Sequence, residues 1–577
     1  MRTTFILTLA SCAAVLASEH RAALAPSSSS SDHGYQYPEE WFDYIIVGAG
    51  IAGTTLANRL TASGEFQVLL LEAGQLDQHE DFVTIPGLSA TAAGTKYDWN
   101  LTSSPSPATG NRAIPLPMGK VVGGGSTINR MIFVRGSAAD FDRWEEFTER
   151  GWGWNDMFKN FIKAENAVAA ARELGVRILR DGMGGDNAGG FFATHSQKPV
   201  ENVRSSGRTA HYDAAADRSN LRLIQNAHVT KVQVEYHRAV GVKFIHGQNS
   251  THQVVKARKE VILSAGSIFS PQILQLSGIG DATDLAALNI TSIVHLPGVG
   301  RNLQDHPVLV TVNAITSHLS SANLTDPTFA SDMMALYKSN RTGPYANPTS
   351  EFVMFLPTSN FSSNATALYQ AAREQNPGHF LPEDTPPSVL EGYAKQHALL
   401  TAGLASDAET PLEVFWSDGT LAFGVQHPFS RGSVKLVSKD PLEPPAVDPG
   451  FLTNPIDMAI MVDAVKFARA FAATAAVASL SPVEIVPGAN ITADADIESF
   501  IRENIGSFAH YASTCRVGPR RTGGVVSDDF RVHGVQNLRV VDASVIPLLP
   551  AAHTSTTVYA LAEKAADIIL CNNSAGV

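Results

Sequence analysis

Two kinds of residue in this chain have the type and spacing to do chemistry. The first is the run Gly48-Ala-Gly50-Ile-Ala-Gly53. Glycines in a G-x-G-x-x-G pattern allow a tight turn, a close backbone approach to a pyrophosphate, and close packing of a helix on a strand. A helix beginning there presents free N–H groups and a partial positive charge to phosphate. Glu72 lies about twenty residues on, where a carboxylate accepts hydrogen bonds from ribose hydroxyls. An acid rather than an arginine disfavours a 2′-phosphate. The pattern alone leaves NAD and FAD open. The second kind is histidine, 18 in all, whose proton affinity suits acid–base work near neutral pH. Most of these must be surface or hydrogen-bonded filler. The three cysteines and the histidines form no cluster with zinc spacing, so no metal site is expected.

The elements that must position these residues are legible nearby. The apolar, β-branched run from Asp43 to Gly48 predicts a buried parallel strand, 52–63 a helix, and 66–71 a second buried strand. This is a β–α–β unit of the length the motif requires. Two further apolar runs, 261–266 and 538–542, predict strands of the same sheet. The alternating run 229–234 predicts another strand, and 458–472 an amphipathic helix. The expected class is therefore α/β. A Rossmann-like domain is assembled from discontinuous segments (41–135, 215–310 and 505–577), with an inserted α+β substrate domain from 136–214 and 311–504.

The chain has 577 residues, 44% hydrophobic and 17% charged, with a formal net charge of −12. With no long basic run, that balance argues against nucleic acid or an anionic membrane as partner. Arg2 followed by the apolar stretch 5–17 reads as a signal peptide, cut near Ala17 or Ser18, with a polar lead-in to about residue 40. Nine N-x-S/T sequons, at Asn100, Asn249, Asn289, Asn323, Asn340, Asn360, Asn364, Asn490 and Asn572, fit a secreted, N-glycosylated protein. Cleavage leaves Cys515 and Cys571, which could pair in an oxidising compartment. Oligomeric state is not legible.

Four further segments carry a family resemblance. They are Gly119-Lys-Val-Val-Gly-Gly-Gly-Ser-Thr-Ile-Asn129, the stretch Gly266-Ser-Ile-Phe-Ser-Pro-Gln-Ile-Leu-Gln-Leu-Ser-Gly-Ile-Gly280, Gly298-Val-Gly-Arg-Asn-Leu-Gln-Asp-His-Pro307, and 534–544 followed by Pro547 and His553-Thr-Ser-Thr-Thr-Val. In this order they resemble the glucose–methanol–choline (GMC) oxidoreductases, in the branch of secreted fungal aryl-alcohol oxidase, glucose oxidase and glucose dehydrogenase. The resemblance spans nearly all of 40–570 and implies FAD. It implies contacts from Gly48, Gly50, Ile51, Ala52 and Gly53 to the pyrophosphate, from Glu72 to the ribose, and from Val229 beside the adenine. Val122, Gly124 and Asn129 belong to the flavin loop. Asp542 and Ala543 approach from the C-terminal strand, and Thr554 and Thr556 from the pyrimidine edge. Some relatives tether FAD through a histidine in the flavin loop; Ile128 stands nearest that position here, so non-covalent FAD is expected.

The same resemblance singles out His510, in Ser-Phe-Ala-His-Tyr-Ala-Ser-Thr-Cys, and His553 as the catalytic pair. Oxidising an alcohol requires loss of the hydroxyl proton and transfer of a hydride. A neutral histidine serves the first step, a second orients the oxygen, and flavin accepts the hydride. His510 is the expected base and His553 its partner, though a coupled pair can exchange roles. His306 is expected to be structural, with no proton-transfer partner. The chain departs from the family at Ser513, where glycine is usual, and at Val517, where methionine is frequent. Arg516 is expected to form a salt bridge rather than to stabilise reduced flavin. The stretch after Glu165 is short, compressed into 168–187, which would widen the pocket mouth, remove a lid or reflect an error in the gene model. The implied activity is oxidation of a small alcohol (aryl, sugar or secondary-metabolite hydroxyl) with oxygen or another electron acceptor. The alternatives are a non-redox lyase or cyclase with structural FAD, and a binding protein with a dead site.

Overall fold

The computed structural model describes residues 41–148, 152, 154, 176–177, 179, 181–247, 252–315, 321–348, 352–417 and 419–574. The leader, the lead-in, Asn249 and half of 168–187 lie outside the described residues.

In chain order, the elements that build the site begin with β1 (Trp41–Val47), α1 (Ile51–Thr61) and β2 (Val68–Leu71). After β3 (Leu221–Ile224) come β4 (Ala227–Glu235), β5 (Arg238–His246), β6 (His252–Leu263) and α2 (Gly266–Leu276). There follow β7 (Pro307–Ala314), β8 (Phe352–Leu356), β9 (Leu412–Ser417), β10 (Thr420–Val425), α3 (Pro455–Ala472), β11 (Val483–Val486) and β12 (Gly506–Ser507). The chain closes with β13 (Leu538–Val540) and α4 (Thr554–Ser574).

The first sheet runs β3-β2-β1-β6-β5-β4, with β13 beside the C-terminal end of β6. Strands β3, β2, β1, β6 and β13 are parallel, and β5 and β4 add an antiparallel hairpin. Ile45 sits opposite Val261, and Val261 opposite Leu538, so runs more than 200 residues apart in sequence share one register. All four residues of β2 are buried, as a strand covered on both faces requires. Helices α1 and α4 pack together against this sheet, joined at the rim by Arg59 to Glu563 and Asp567. The expected strand at 261–266 is the end of a longer one. It stops at Leu263 because 264–266 turn into α2, where Gly266 has φ +81°.

The second sheet is antiparallel, in the order β8-β9-β10-β7-β11, with β12 also paired to β7. Helix α3 packs on its β10 and β7 strands. Its residues Met461, Val465 and Ala468 recur at helical spacing and are buried. All of this sheet falls between residues 307 and 507, with β12 and the residues after it leading the chain back toward the first sheet. Among the described residues, no helix is long and apolar enough to cross a membrane.

Candidate active site

The glycine fingerprint forms the turn between β1 and α1. Gly53 packs so tightly that a Cβ there would lie 1.9 Å from the Gly48 carbonyl oxygen. Gly53 therefore joins helix to strand and does not line the cleft. The flavin-loop residue Gly124 crosses this turn, and a Cβ on it would lie 2.8 Å from Gly50 Cα. Between the two loops opens a cleft. Of the residues singled out above, Gly48, Gly50, Ile51, Ala52, Glu72, Gly124, Val229, Asp542, Ala543 and Thr554 line it. Trp99, Met118, His228 and Tyr511 also line it; of these only Tyr511 falls in a quoted segment, next to His510.

The other expected contacts stand behind this wall. The Val122 amide donates to the Gln75 carbonyl at 3.0 Å. Thr556 Oγ1 donates to Val134 O at 2.6 Å, tying α4 to the loop. Asn129 Oδ1 accepts from Met131 N–H at 3.0 Å and from Arg204 Nη1 at 2.8 Å, and Arg204 is itself buried. These three residues brace the cradle from behind.

Glu72 is buried at the end of β2. Its Oε2 accepts from Ala49 N–H and its Oε1 from Gly74 N–H, both at 2.8 Å. Burial pushes its carboxyl up to about 7, with those two donors pulling the other way. Further donors such as ribose hydroxyls would favour the ionised form. Asp542 accepts from Gly266 N–H and Ser270 Oγ on one oxygen and from Ser544 N–H on the other. It thus pins the start of α2 to the end of β13, where the cleft floor is made.

His510 and His553 adjoin this cleft. His510 lies between the lining residues Ala509 and Tyr511, and His553 precedes Thr554. Their ring centroids are 4.6 Å apart at 72°. Phe508 lies nearly parallel to His510 at 5.6 Å, and Phe415 meets His553 edge-on at 5.6 Å. Glycine at 424 makes room for that wall: a Cβ there would lie 2.4 Å from the Phe508 ring. Burial drives His510 well below its ordinary value, with His553 adding to the shift, and burial takes His553 down to about 3. Both rings are therefore neutral at pH 7 and keep a lone pair for a hydroxyl proton.

Each ring has one nitrogen occupied. His553 Nε2 lies 3.1 Å from Glu413 Oε1, on β9. Glu413 is fully buried, and burial holds its carboxyl well above the usual carboxylate range. A neutral carboxyl there donates O–H to His553 Nε2 while its other oxygen accepts from Gln426 Nε2 at 3.0 Å. Glu413→Gln keeps a donor in place and should hold catalysis within a few-fold of wild type. Glu413→Leu leaves His553 unpartnered and should cost about 10–100-fold, at about 1–3 kcal/mol for an orphaned buried group. Rapid-mix rates of flavin reduction in both variants check this; equal losses would contradict a neutral Glu413.

The structure corrects two expectations and answers one question left open. His306 has a partner: its Nδ1 lies 2.9 Å from His510 Nδ1. Arg516 makes no salt bridge among the described residues; it donates to the Val517 and Thr522 carbonyls and lies over the Phe147 ring. Cys515 and Cys571 are both free thiols, one buried and one exposed. Ser513, where relatives carry glycine, has φ +75°, in the left-handed region that favours glycine, and its buried hydroxyl has no partner. Sequence reading missed Glu413, Gln426 and Phe508. Only Phe508 left a signal, its place two residues before His510.

Among the described residues, one buried group of three possible metal ligands stands together: Asp140, Glu409 and His427. The Arg143 guanidinium lies among them, 2.8 Å from Asp140, 2.9 Å from Glu409 and 3.1 Å from His427. The protein supplies its own cation there.

Comparison with known proteins agrees with this fold. Family models described as GMC oxidoreductase match residues 42–308 and 428–562. The chain is similar to dehydrogenase xptC of Emericella nidulans, with 33% identity over 92% of this chain and 93% of that one. It is similar to an FAD-dependent oxidoreductase from Chaetomium thermophilum, with 32% identity, a TM-score of 0.88, and coverage of 92% of this chain and 100% of that one. A fungal aryl-alcohol oxidase superposes with a TM-score of 0.83 at 28% identity, over 92% and 99% of the two chains.

Proposed function

This chain belongs to the GMC family of FAD-dependent oxidoreductases, and from that premise we propose that it oxidises the CH–OH group of a small alcohol to a carbonyl. The observation that carries the reading is the pair of neutral imidazoles, with ring centroids 4.6 Å apart, adjoining a glycine-walled cleft. The cleft suits FAD. Glu72 would take the ribose hydroxyls, Gly50 and the first-turn amides of α1 at Ile51 and Ala52 would hold the pyrophosphate, and the close crossing of Gly124 on Gly50 would bring the flavin loop beside them. When bound, FAD supplies the hydride acceptor.

The chain's own residues do the rest. His510 takes the hydroxyl proton. His553 donates a hydrogen bond to the same oxygen through Nδ1–H, the proton that remains when Glu413 occupies Nε2. Phe415 and Phe508 keep water from the two rings and provide an apolar wall for the substrate carbon chain. In this reading, residues 41–135, 215–310 and 505–577 hold the cofactor, and 136–214 with 311–504 hold the substrate. An aryl alcohol is the first substrate to try, because of that phenylalanine wall. The electron acceptor is oxygen or a small carrier.

Two measurements test the reading. Mixed anaerobically with aryl, sugar and polyketide alcohols, the holoenzyme should bleach near its visible flavin maximum with at least one of them. Turnover of a substrate without bleaching would point instead to a lyase or cyclase. Denaturation should release FAD into the supernatant, because Ile128 offers no nucleophile and packs among Val83, Tyr97 and Val121; flavin that stays with the precipitate would show a covalent link. The reading extends to a secreted glycoprotein. Of the sequons, Asn100, Asn289, Asn340, Asn364, Asn490 and Asn572 are exposed, as glycan acceptors must be.

A further inference from the structure

Resting on the reading of His510 as the base, we propose that His306 is a positioning residue that sets which nitrogen of His510 carries the proton. Its Nδ1 accepts the Nδ1–H of His510, leaving the His510 lone pair on Nε2, the nitrogen free to meet a substrate hydroxyl. His306 belongs to the Asp305-His306-Pro307 segment leading into β7 and is fully buried.

The placement of the two rings is rigid. Asp305 Oδ1 accepts the His510 backbone N–H at 2.8 Å, and the Phe508 N–H donates to the His306 carbonyl at 3.1 Å. The imidazoles meet at 90° with centroids 5.1 Å apart and Nδ1 atoms 2.9 Å apart. A neutral imidazole has one N–H, so one ring must donate and the other accept. If His306 donates, His510 carries its proton on Nε2 and presents a donor where a base is required. If His510 donates, His306 carries its own proton on Nε2.

The reading of His510 as the base selects the second arrangement, because only then is its Nε2 an acceptor. The His306 Nε2 is buried with no hydrogen-bond partner among the described residues, so the Nδ1–Nδ1 contact is the one bond that fixes the pair. Gln426 donates through its side chain to Glu413, the residue that occupies His553 Nε2. Its backbone is anchored by a 2.8 Å bond from Gln426 N–H to the Pro411 carbonyl. The two imidazoles are thus biased in opposite senses. His306 makes His510 an acceptor at the substrate, and Glu413 makes His553 a donor. An alcohol oxygen, which must give up one proton and keep a hydrogen bond, requires that opposite pair.

The test reads tautomers directly. In holoenzyme labelled with ¹⁵N-histidine, long-range ¹H–¹⁵N correlation should show His510 protonated on Nδ1 and His306 on Nε2. A His510 protonated on Nε2 overturns the proposal, and this measurement requires no variant to fold. The second arm is rescue. His306→Asn places an amide oxygen near the former Nδ1 and should reduce with 4-methoxybenzyl alcohol within about threefold of wild type, whereas His306→Leu should lose roughly 10–100-fold. A merely structural role predicts equal losses in the two variants, and that result also overturns the proposal. If no alcohol reduces the flavin, the oxidation reading fails while the tautomer measurement still decides the role of His306.

Discussion

His510→Ala lowers the rate of flavin reduction by an alcohol roughly 10²–10⁴-fold, the span of a positioned acid–base group, or about 3–5 kcal/mol of barrier. The expectation follows from the site's isolation. His510 is buried and His553 only partly exposed, both behind Phe415 and Phe508, so no bulk base has ready access to the hydroxyl. His553 does not substitute well, because Glu413 sets it as a donor. FAD content should be unchanged, since His510 lies beside the cleft lining and contributes no group to the glycine cradle. Anaerobic rapid mixing with the best alcohol from the screen gives the rate, and the visible-to-protein absorbance ratio gives the flavin content. A variant that keeps its flavin and its reduction rate removes His510 from the mechanism.

Gly53→Val abolishes flavin retention. A Cβ at this position would stand 1.9 Å from the Gly48 carbonyl oxygen, which belongs to the backbone and cannot swing away as a side chain would. The start of α1 must move off β1, carrying the Ile51 and Ala52 amides away from the pyrophosphate position. Overpacking of this kind costs on the order of 3 kcal/mol, and the cradle bears most of the displacement. The variant should purify colourless or with a small fraction of wild-type flavin, and added FAD should not restore it. Gly64→Val makes a fair control: this glycine in the α1–β2 connection has open space around it, though φ +76° adds backbone strain. It should keep its flavin even if it melts somewhat earlier. Normal flavin content in Gly53→Val would mean that helix and strand tolerate separation and that the cradle is not built on their contact.

What the sequence by itself determined is the part whose physics is local. A dinucleotide turn depends on which residues lack a side chain between one strand and the next helix, all within six positions, and Gly48 to Gly53 can be read without knowing what surrounds them. Buried parallel strands likewise announce themselves as short apolar runs. Family motifs carried the reading further, to FAD and to His510 and His553. Ser513 shows the limit of that reading. The sequence marks it only as a departure from the motif, whereas its positive φ makes it a backbone position where glycine is simply the easier residue.

Tertiary structure alone decided the proton arrangement. Glu413 and Gln426 lie on or beside strands of the second sheet, more than 80 residues before His510, and nothing in their local sequence distinguishes them from other buried polar residues. His306 was within a legible motif, yet its role depends on an Nδ1 brought to 2.9 Å by a chain segment 204 residues away. The physical reason is that a cradle for phosphate is a property of one turn of backbone, while the tautomer of an imidazole is a property of whatever donors and acceptors close around it, and folding alone brings those together.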